Sequence, residues 1–218
     1  ANKYGCTPLF YASHQGKLEI VKVLIASGAL LDKADGNGKT LYIASCNGHL
    51  ETVKVLIASG ALLDKATNGN GFTPLYRASE NGHLEIVKVL IASGALLDKA
   101  NNYGETPLYI ASINGHLEIV KVLIAHKANF FYMNNEGKTP LDVAKSDEIR
   151  QCIVSHPWYR RRPLLLTRPH NDHKTDKKHK ISPLGEIITT KISQKIDSGP
   201  CNQDSVLFQI KIKIASFL

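Results

Sequence analysis

No stretch of this chain stays apolar long enough to cross a bilayer. The longest runs, such as residues 23–26 and 164–166, fall far short of the ~18 residues a membrane helix needs, and the N-terminus lacks the apolar run of a signal peptide. An intracellular protein without a transmembrane segment is expected, cytoplasmic or nuclear. Cysteine is scarce: Cys6, Cys46, Cys152 and Cys201 show neither the Cys-x-x-Cys spacing of a zinc site nor the density of a secreted disulfide scaffold. They read as reduced structural thiols. The absence of any Asn-x-Ser/Thr acceptor agrees with that compartment. Met133 is the single methionine and the chain opens at Ala1, so a fragment or a processed form is expected.

Excess charge is missing from most of the chain. Residues 1–155 hold 15 Lys+Arg against 14 Asp+Glu, whereas residues 156–218 hold 12 against 5. Nearly all of the formal net charge of +8 therefore belongs to the last segment. That shift predicts a boundary near Ser155 and gives the two parts different prospects as binding surfaces.

What is present is repetition. The 14 residues Val-Lys-Val-Leu-Ile-Ala-Ser-Gly-Ala-Leu-Leu-Asp-Lys-Ala begin at Val21, Val53 and Val87, and a drifted copy begins at Val120, so the starts are 32, 34 and 33 residues apart. Such a period marks stacked supersecondary units. Most units open with Gly-x-Thr-Pro-Leu, as in Gly5-Cys6-Thr7-Pro8-Leu9, Gly71-Phe72-Thr73-Pro74-Leu75, Gly104-Glu105-Thr106-Pro107-Leu108 and Gly137-Lys138-Thr139-Pro140-Leu141. Thr is a good N-cap and Pro suits the first helical position, so a short helix is expected to start at each of these prolines. Gly16, Gly48, Gly82 and Gly115 fit its C-cap. A second helix is expected from about Leu18 to Ala26 and its equivalents, with Leu18, Val21, Leu24 and Ile25 on one apolar face, ended by Gly28, Gly60 and Gly94. The connecting segments Asp35-Gly36-Asn37-Gly38, Asn68-Gly69-Asn70-Gly71 and Asn101-Asn102-Tyr103-Gly104 are rich in hairpin-turn residues.

Thr-Pro-Leu-x-x-Ala, Gly-His-Leu-Glu-Ile-Val-Lys and Gly-Ala, in that order over residues 3–154, resemble the ankyrin repeat. The resemblance implies an all-α repeat protein, a curved solenoid of helix-turn-helix units with β-hairpin loops. It places units at about 5–37, 38–70, 71–103 and 104–136, with a shortened one at 137–155, followed by a basic C-terminal segment at 156–218. It also implies a non-enzymatic interaction module, a monomeric scaffold or adaptor, with a protein partner and no cofactor.

Three departures stand out. The His usual after Thr-Pro-Leu is replaced by Phe10, Tyr42, Tyr76, Tyr109 and Asp142, so aromatic packing is expected there. The second unit lacks the proline, reading Thr40-Leu41, and carries an extra residue at 67–69. Arg77 stands where other units have Tyr11, Ile43, Ile110 and Val143; a charge there is costly unless paired, and it should turn outward or meet an acid such as Glu80. The last unit loses its Gly-His loop and shortens its second helix to about residues 147–154, which suits a terminal cap over 145–155. At the other end the first unit has no capping character, so further units upstream are expected.

Catalytic and metal chemistry find little footing. Gly38-Lys39-Thr40 and Gly137-Lys138-Thr139 match only the end of a phosphate-binding loop, because Lys33 and Tyr132 occupy the place of the required glycine. His49, His83 and His116 recur once per unit, which points to a local turn or cap role and leaves them too far apart to share a zinc. Glu19, Glu51, Glu85 and Glu118 repeat beside Lys22, Lys54, Lys88 and Lys121 in equivalent settings, unlike the divided environments of an acid–base pair.

Positions that vary on this constant background are the candidates for partner contact, at the hairpin tips and on the exposed side of the first helix. They are Tyr4, Cys6, His14 and Gln15, then Asn37, Lys39, Cys46 and Asn47, then Asn70, Phe72, Glu80 and Asn81, then Tyr103, Glu105, Ile113 and Asn114, ending near Glu136 and Lys138. Tyr4, Phe72 and Tyr103 are the expected anchors, since aromatic residues dominate interface energies; drift at exposed sites is the simpler alternative. In the tail, Trp158-Tyr159-Arg160-Arg161-Arg162 and the lysines of 174–180 could favour nucleic acid or an acidic membrane surface, which would make the chain a targeting module of a larger protein. The tail is otherwise expected to be solvated and partly disordered, with an amphipathic helix starting near Ser182 and an alternating strand pattern over 208–214.

Overall fold

The computed structural model describes residues 6–31, 40–67 and 69–160. Tyr4, Asn37, Lys39, the tail beyond 160, the helix expected after Ser182 and the strand expected at 208–214 lie outside the described residues. The chain divides into two units, Ala1–Leu166 and Thr167–Leu218, and every described residue belongs to the first.

Four helix pairs follow one another: α1 (Pro8–His14) with α2 (Leu18–Ala26), α3 (Thr40–Cys46) with α4 (Leu50–Ala58), α5 (Pro74–Glu80) with α6 (Leu84–Ala92), and α7 (Pro107–Asn114) with α8 (Leu117–Ala125). Two further helices, α9 (Asp147–Ser155) and α10 (Pro157–Arg160), complete the described part. The start of α1, α5 and α7 is set by Thr-Pro: the hydroxyl of Thr7, Thr73 and Thr106 accepts the amide of Phe10, Tyr76 and Tyr109 at 3.1, 3.1 and 3.2 Å, satisfying an N-H that has no carbonyl inside the helix. First helices stack on first helices, from α1 through α3 and α5 to α7, and second helices on second helices, from α2 to α8.

The repeated apolar positions form the core between the layers. Val21, Val53, Val87 and Val120 are all fully buried, as are Leu41, Leu75 and Leu108 of the first helices and Leu56, Leu90 and Leu123 of the second; each contributes roughly 1.5–3 kcal/mol of burial. The first pair has a neighbour on one side only among the described residues. Ile20 is accordingly 53% exposed where its equivalents Ile86 and Ile119 are 2%.

Glycine at the end of each first helix serves the stacking as well as the turn. Gly48 has φ +80°, and a Cβ there would lie 2.7 Å from His83 Cε1; Gly82 has φ +77° and would meet His116 at the same distance. The next unit's imidazole therefore occupies the space a side chain would take.

Two expectations need correction. The loops between units are hairpin-shaped, closed by Thr67 N-H to Phe72 O, Asn101 N-H to Glu105 O and Asn134 N-H to Lys138 O at 2.9–3.0 Å, but no strand occurs among the described residues. Instead, each tip bonds to the next, Asn102 N-H to Asn70 O and Asn135 N-H to Tyr103 O, both 3.0 Å. The helix expected at Pro140 is only a run of turns. There Asp142 Oδ2 accepts both the amide and the hydroxyl of Thr139 at 2.8 Å, and the Arg150 guanidinium takes the carbonyls of Leu141 and Ala144 at 3.4 and 2.9 Å. The Leu141 carbonyl also takes the Ala144 amide at 3.4 Å, a turn that does not continue as a helix.

The end of the array is sealed by aromatics. In interior units Asp64 and Asp98 accept the backbone amides of Leu96 and Asn129, one unit on, at 3.0 and 2.8 Å. The equivalent residue in the fourth unit is Phe131, which stacks on Tyr159 at 5.6 Å and 19° while Phe130 meets His156 edge-on. The packed structure thus runs past the boundary drawn at Ser155, because α10 delivers Tyr159 back to the array.

Candidate functional site

The junctions between units are built from polar side chains that each reach back one unit. Asn81 Nδ2 and His83 Nε2 both donate to the Cys46 carbonyl, at 2.8 and 3.0 Å. Asn47 and His49 share the His14 carbonyl in the same way, at 2.8 and 2.9 Å, and Asn114 and His116 share that of Glu80, again at 2.8 and 2.9 Å. These carbonyls stand at the C-terminal ends of α1, α3 and α5, where the helix leaves them without intrahelical partners. His49, His83 and His116 stand at the N-cap positions of α4, α6 and α8, as a local cap role implies, but without a side-chain cap bond; their rings instead clamp one unit to the one before. Asn47, Asn81 and Asn114, candidates for partner contact, are engaged in the same clamp. At the last junction Lys145 substitutes, its amide bonding to Ser112 O at 3.0 Å and its ammonium to Asn114 O at 3.4 Å.

The other candidates fall into separate places. His14 and Gln15 are exposed at the end of α1 and line an open depression with Lys17, Asn47 and His49. Asn70 and Tyr103 sit at hairpin tips, Tyr103 being 54% exposed. Ile113 is exposed at the end of α7, and Glu136 and Lys138 form an exposed ion pair at 2.8 Å. Phe72 and Glu80, in contrast, meet at Arg77, and Glu105 joins them through Tyr76.

This cluster joins three units on the first-helix face. The Arg77 guanidinium carbon lies 4.1 Å from the Phe72 ring centroid and 5.8 Å from that of Tyr42; its Nε donates to the Tyr42 hydroxyl at 2.9 Å, and its Nη1 pairs with Glu80. Phe72 in turn stacks on Tyr76 at 4.9 Å, whose hydroxyl donates to Glu105 Oε2 at 2.9 Å. The side chains of Arg77 and Glu80 are 25% and 24% exposed, so the pair is partly desolvated and stronger than a surface pair. The expectation that Arg77 would meet Glu80 holds. Burial pushes the Tyr42 phenol up, with the Arg77 charge opposing; burial raises that of Tyr76 further, reinforced by the bond to Glu105. Both phenols remain neutral across the physiological range, Tyr42 accepting from Arg77 and Tyr76 donating to Glu105.

Sequence reading missed Tyr42, Tyr76 and Arg77 as members of this surface. The signal is present, since position 77 varies among units as Tyr, Ile, Arg, Ile and Val, but four of those five residues are apolar or aromatic and read as packing.

No catalytic arrangement emerges from the repeated charges. Glu19–Lys22, Glu51–Lys54, Glu85–Lys88 and Glu118–Lys121 are exposed i,i+3 pairs at 2.6–2.8 Å. Among the described residues no three His, Cys, Asp or Glu side chains are grouped to hold a metal ion, and no helix is long and apolar enough to span a membrane. Burial raises the Cys152 thiol above its usual range, away from a reactive thiolate.

Stacked helix pairs joined by hairpin-shaped loops agree with the family match. Residues 4–36 match the family described as ankyrin repeat, and residues 41–91 and 77–124 match ankyrin repeats (many copies). The chain is an ankyrin-repeat protein. Ankyrin repeats are in general protein–protein interaction modules, typically without enzymatic activity. No curated protein matches the chain.

Proposed function

We propose that this ankyrin array is a non-enzymatic scaffold or adaptor that holds a partner protein on its first-helix face and hairpin tips. The observation that carries the reading is the Arg77 cluster. A cation stacked on Phe72 and paired with Glu80, flanked by the exposed Tyr103 and Ile113, combines the aromatic and Arg character that dominates binding interfaces. It also differs from unit to unit on an otherwise repeated frame, as a selective contact requires. An intracellular location suits the free thiols of Cys46 and Cys152.

The test is a pull-down on the immobilised full chain, nuclease-treated and washed in moderate salt, beside a Phe72→Ala/Tyr103→Ala variant. A discrete protein retained by the wild type and lost by the variant is expected. Retention equal in both, or abolished by nuclease and salt, overturns the reading and moves the function to the basic tail, whose 12 Lys+Arg against 5 Asp+Glu would give steep salt dependence with nucleic acid.

A further inference from the structure

A second surface lies away from the Arg77 cluster, at the C-terminal ends of the second helices. Leu30, Leu62 and Leu96 are the same residue of three successive units, and they are 61%, 55% and 57% exposed. They stand just past α2, α4 and α6, helices that pack in that order, and the bond from Leu96 N-H to Asp64 Oδ1 at 3.0 Å ties consecutive loops side by side. The Ala-Ser-Gly stretches at 26–28, 58–60 and 92–94 are exposed in the three units, while the alanine directly before each leucine, Ala29, Ala61 or Ala95, turns inward. The strip is therefore low and apolar at regular intervals, with the Asp64 carboxylate tied down on the Leu96 amide. Isolated exposed leucines need no explanation, whereas an ordered apolar row marks an interaction surface.

The two ends of the strip differ. Beside Leu30 it opens into a cleft of ≈280 Å³ lined by Thr7, Pro8, Leu9, Leu24 and Ala29. At the fourth unit the corresponding residues are His126, Lys127 and Asn129, all exposed, so the row stops at a polar border where Lys127 stands exposed and the Asp98 carboxylate is held on the Asn129 amide at 2.8 Å. Adjacent packed helices are roughly 8–10 Å apart. Along an α-helix, residues seven apart are separated by about 10.5 Å and return to nearly the same face. The spacing of the leucines thus fits a single helix laid across the three units.

We infer that this strip docks an amphipathic α-helix of a partner protein, one that bears an apolar residue at every seventh position, a bulky apolar residue at the end over the Leu30 cleft, and acidic residues at the end over Lys127. Side chains at i, i+7 and i+14 lie against Leu30, Leu62 and Leu96, and the acids meet Lys127. The site is independent of the Arg77 cluster.

The experiment uses the full chain and a synthetic helical peptide of about 22 residues with leucine at every seventh position and glutamates at one end. Its affinity is measured by fluorescence anisotropy against wild type, a Leu30→Asn/Leu62→Asn/Leu96→Asn variant and a Phe72→Ala/Tyr103→Ala variant. Asn is the residue that Asn129 supplies at this position, so the exposed substitutions leave folding intact. A loss of about tenfold or more in the leucine variant, a similar loss when the peptide's leucines are respaced to every fifth position, and no change in the Phe72/Tyr103 variant are expected. Equal binding of both peptides, equal binding by the leucine variant, or no binding up to about 1 mM overturns the proposal. So does leucine-dependent self-association of the chain, which would assign the strip to a second copy.

Discussion

The Arg77 guanidinium lies 4.1 Å from the centre of the Phe72 ring, so one side chain from a hairpin and one from α5 lock a charge into a face that is otherwise aromatic and aliphatic. Phe72 is half-buried and also stacks on Tyr76. Tyr103, at the neighbouring tip, is 54% exposed. Phe72→Ala should lower stability by about 1–2 kcal/mol, the sum expected from losing a stacked pair and a cation–π contact. Tyr103→Ala should stay within about 0.5 kcal/mol of wild type. Urea denaturation measures both, and equal effects would show that Phe72 is not structurally engaged.

Lys127 has φ +71°, in the left-handed region where Gly28, Gly60 and Gly94 stand in the other units at +82°, +88° and +94°. A Cβ at those glycines would meet nothing within 4 Å, so the penalty at Lys127 comes from the backbone and not from crowding. Lys127→Gly should stabilise the array by about 0.5–1 kcal/mol, the relief of a left-handed side chain less the added freedom of the unfolded chain. A rise of roughly 2–4 °C in melting temperature is expected, and no rise would mean that the Lys127 side chain makes a compensating contact.

Ser13, Ser45 and Ser79 are fully buried at equivalent positions of α1, α3 and α5, and their hydroxyls have no hydrogen-bond partner. Ser112, the equivalent in α7, donates to the Leu108 carbonyl at 2.8 Å. A buried hydroxyl without a partner costs about 1–3 kcal/mol. Ser45→Ala and Ser79→Ala should each raise stability by about 1 kcal/mol, while Ser112→Ala should be neutral or destabilising. Matching shifts for the three variants in thermal denaturation would refute the distinction.

The helix pairs were legible because their signals are local. Thr-Pro at the start, Gly at the end and a 3.6-residue apolar period lie within one unit, and α1, α2 and α9 fall within a residue or two of where these marks put them. What escaped was whatever one unit does to the next. The spacing of His83 suggested a local cap, yet its ring reaches the Cys46 carbonyl 37 residues earlier, a partner that no short-range pattern specifies. Thr139-Pro140-Leu141 carries the same start signal as the other units, but Arg150, from α9, takes the carbonyls that a helix would have used. Tyr159 was read with the basic tail from its neighbours in sequence, whereas it stacks on Phe131 in space. The Arg77 cluster has the same character, since Tyr42, Phe72 and Glu105 come from three units and meet only after stacking.

Tyr76 ties stability to alkaline pH. Burial, then the bond and charge of Glu105, raise its phenol in the folded state above the ordinary value of 10.0. Below about pH 10 the phenol is protonated in folded and unfolded chains alike, and its contribution is whole. As pH rises past 10 the unfolded chain releases the proton while the folded one keeps it, so the unfolded state gains and stability falls until the folded phenol also ionises. Tyr76→Phe removes this titration together with the 2.9 Å bond to Glu105. It should therefore lower stability by about 1–2 kcal/mol at pH 8 yet decline less steeply between pH 9.5 and about 11, because the Tyr76 share of the effect is gone while Tyr42 and Tyr109, raised chiefly by burial, and the ion-paired Lys121 and Lys138 still contribute. Urea midpoints across that range give both slopes. Parallel curves for wild type and variant would mean that the Tyr76 phenol is no harder to ionise in the folded protein than in the unfolded chain.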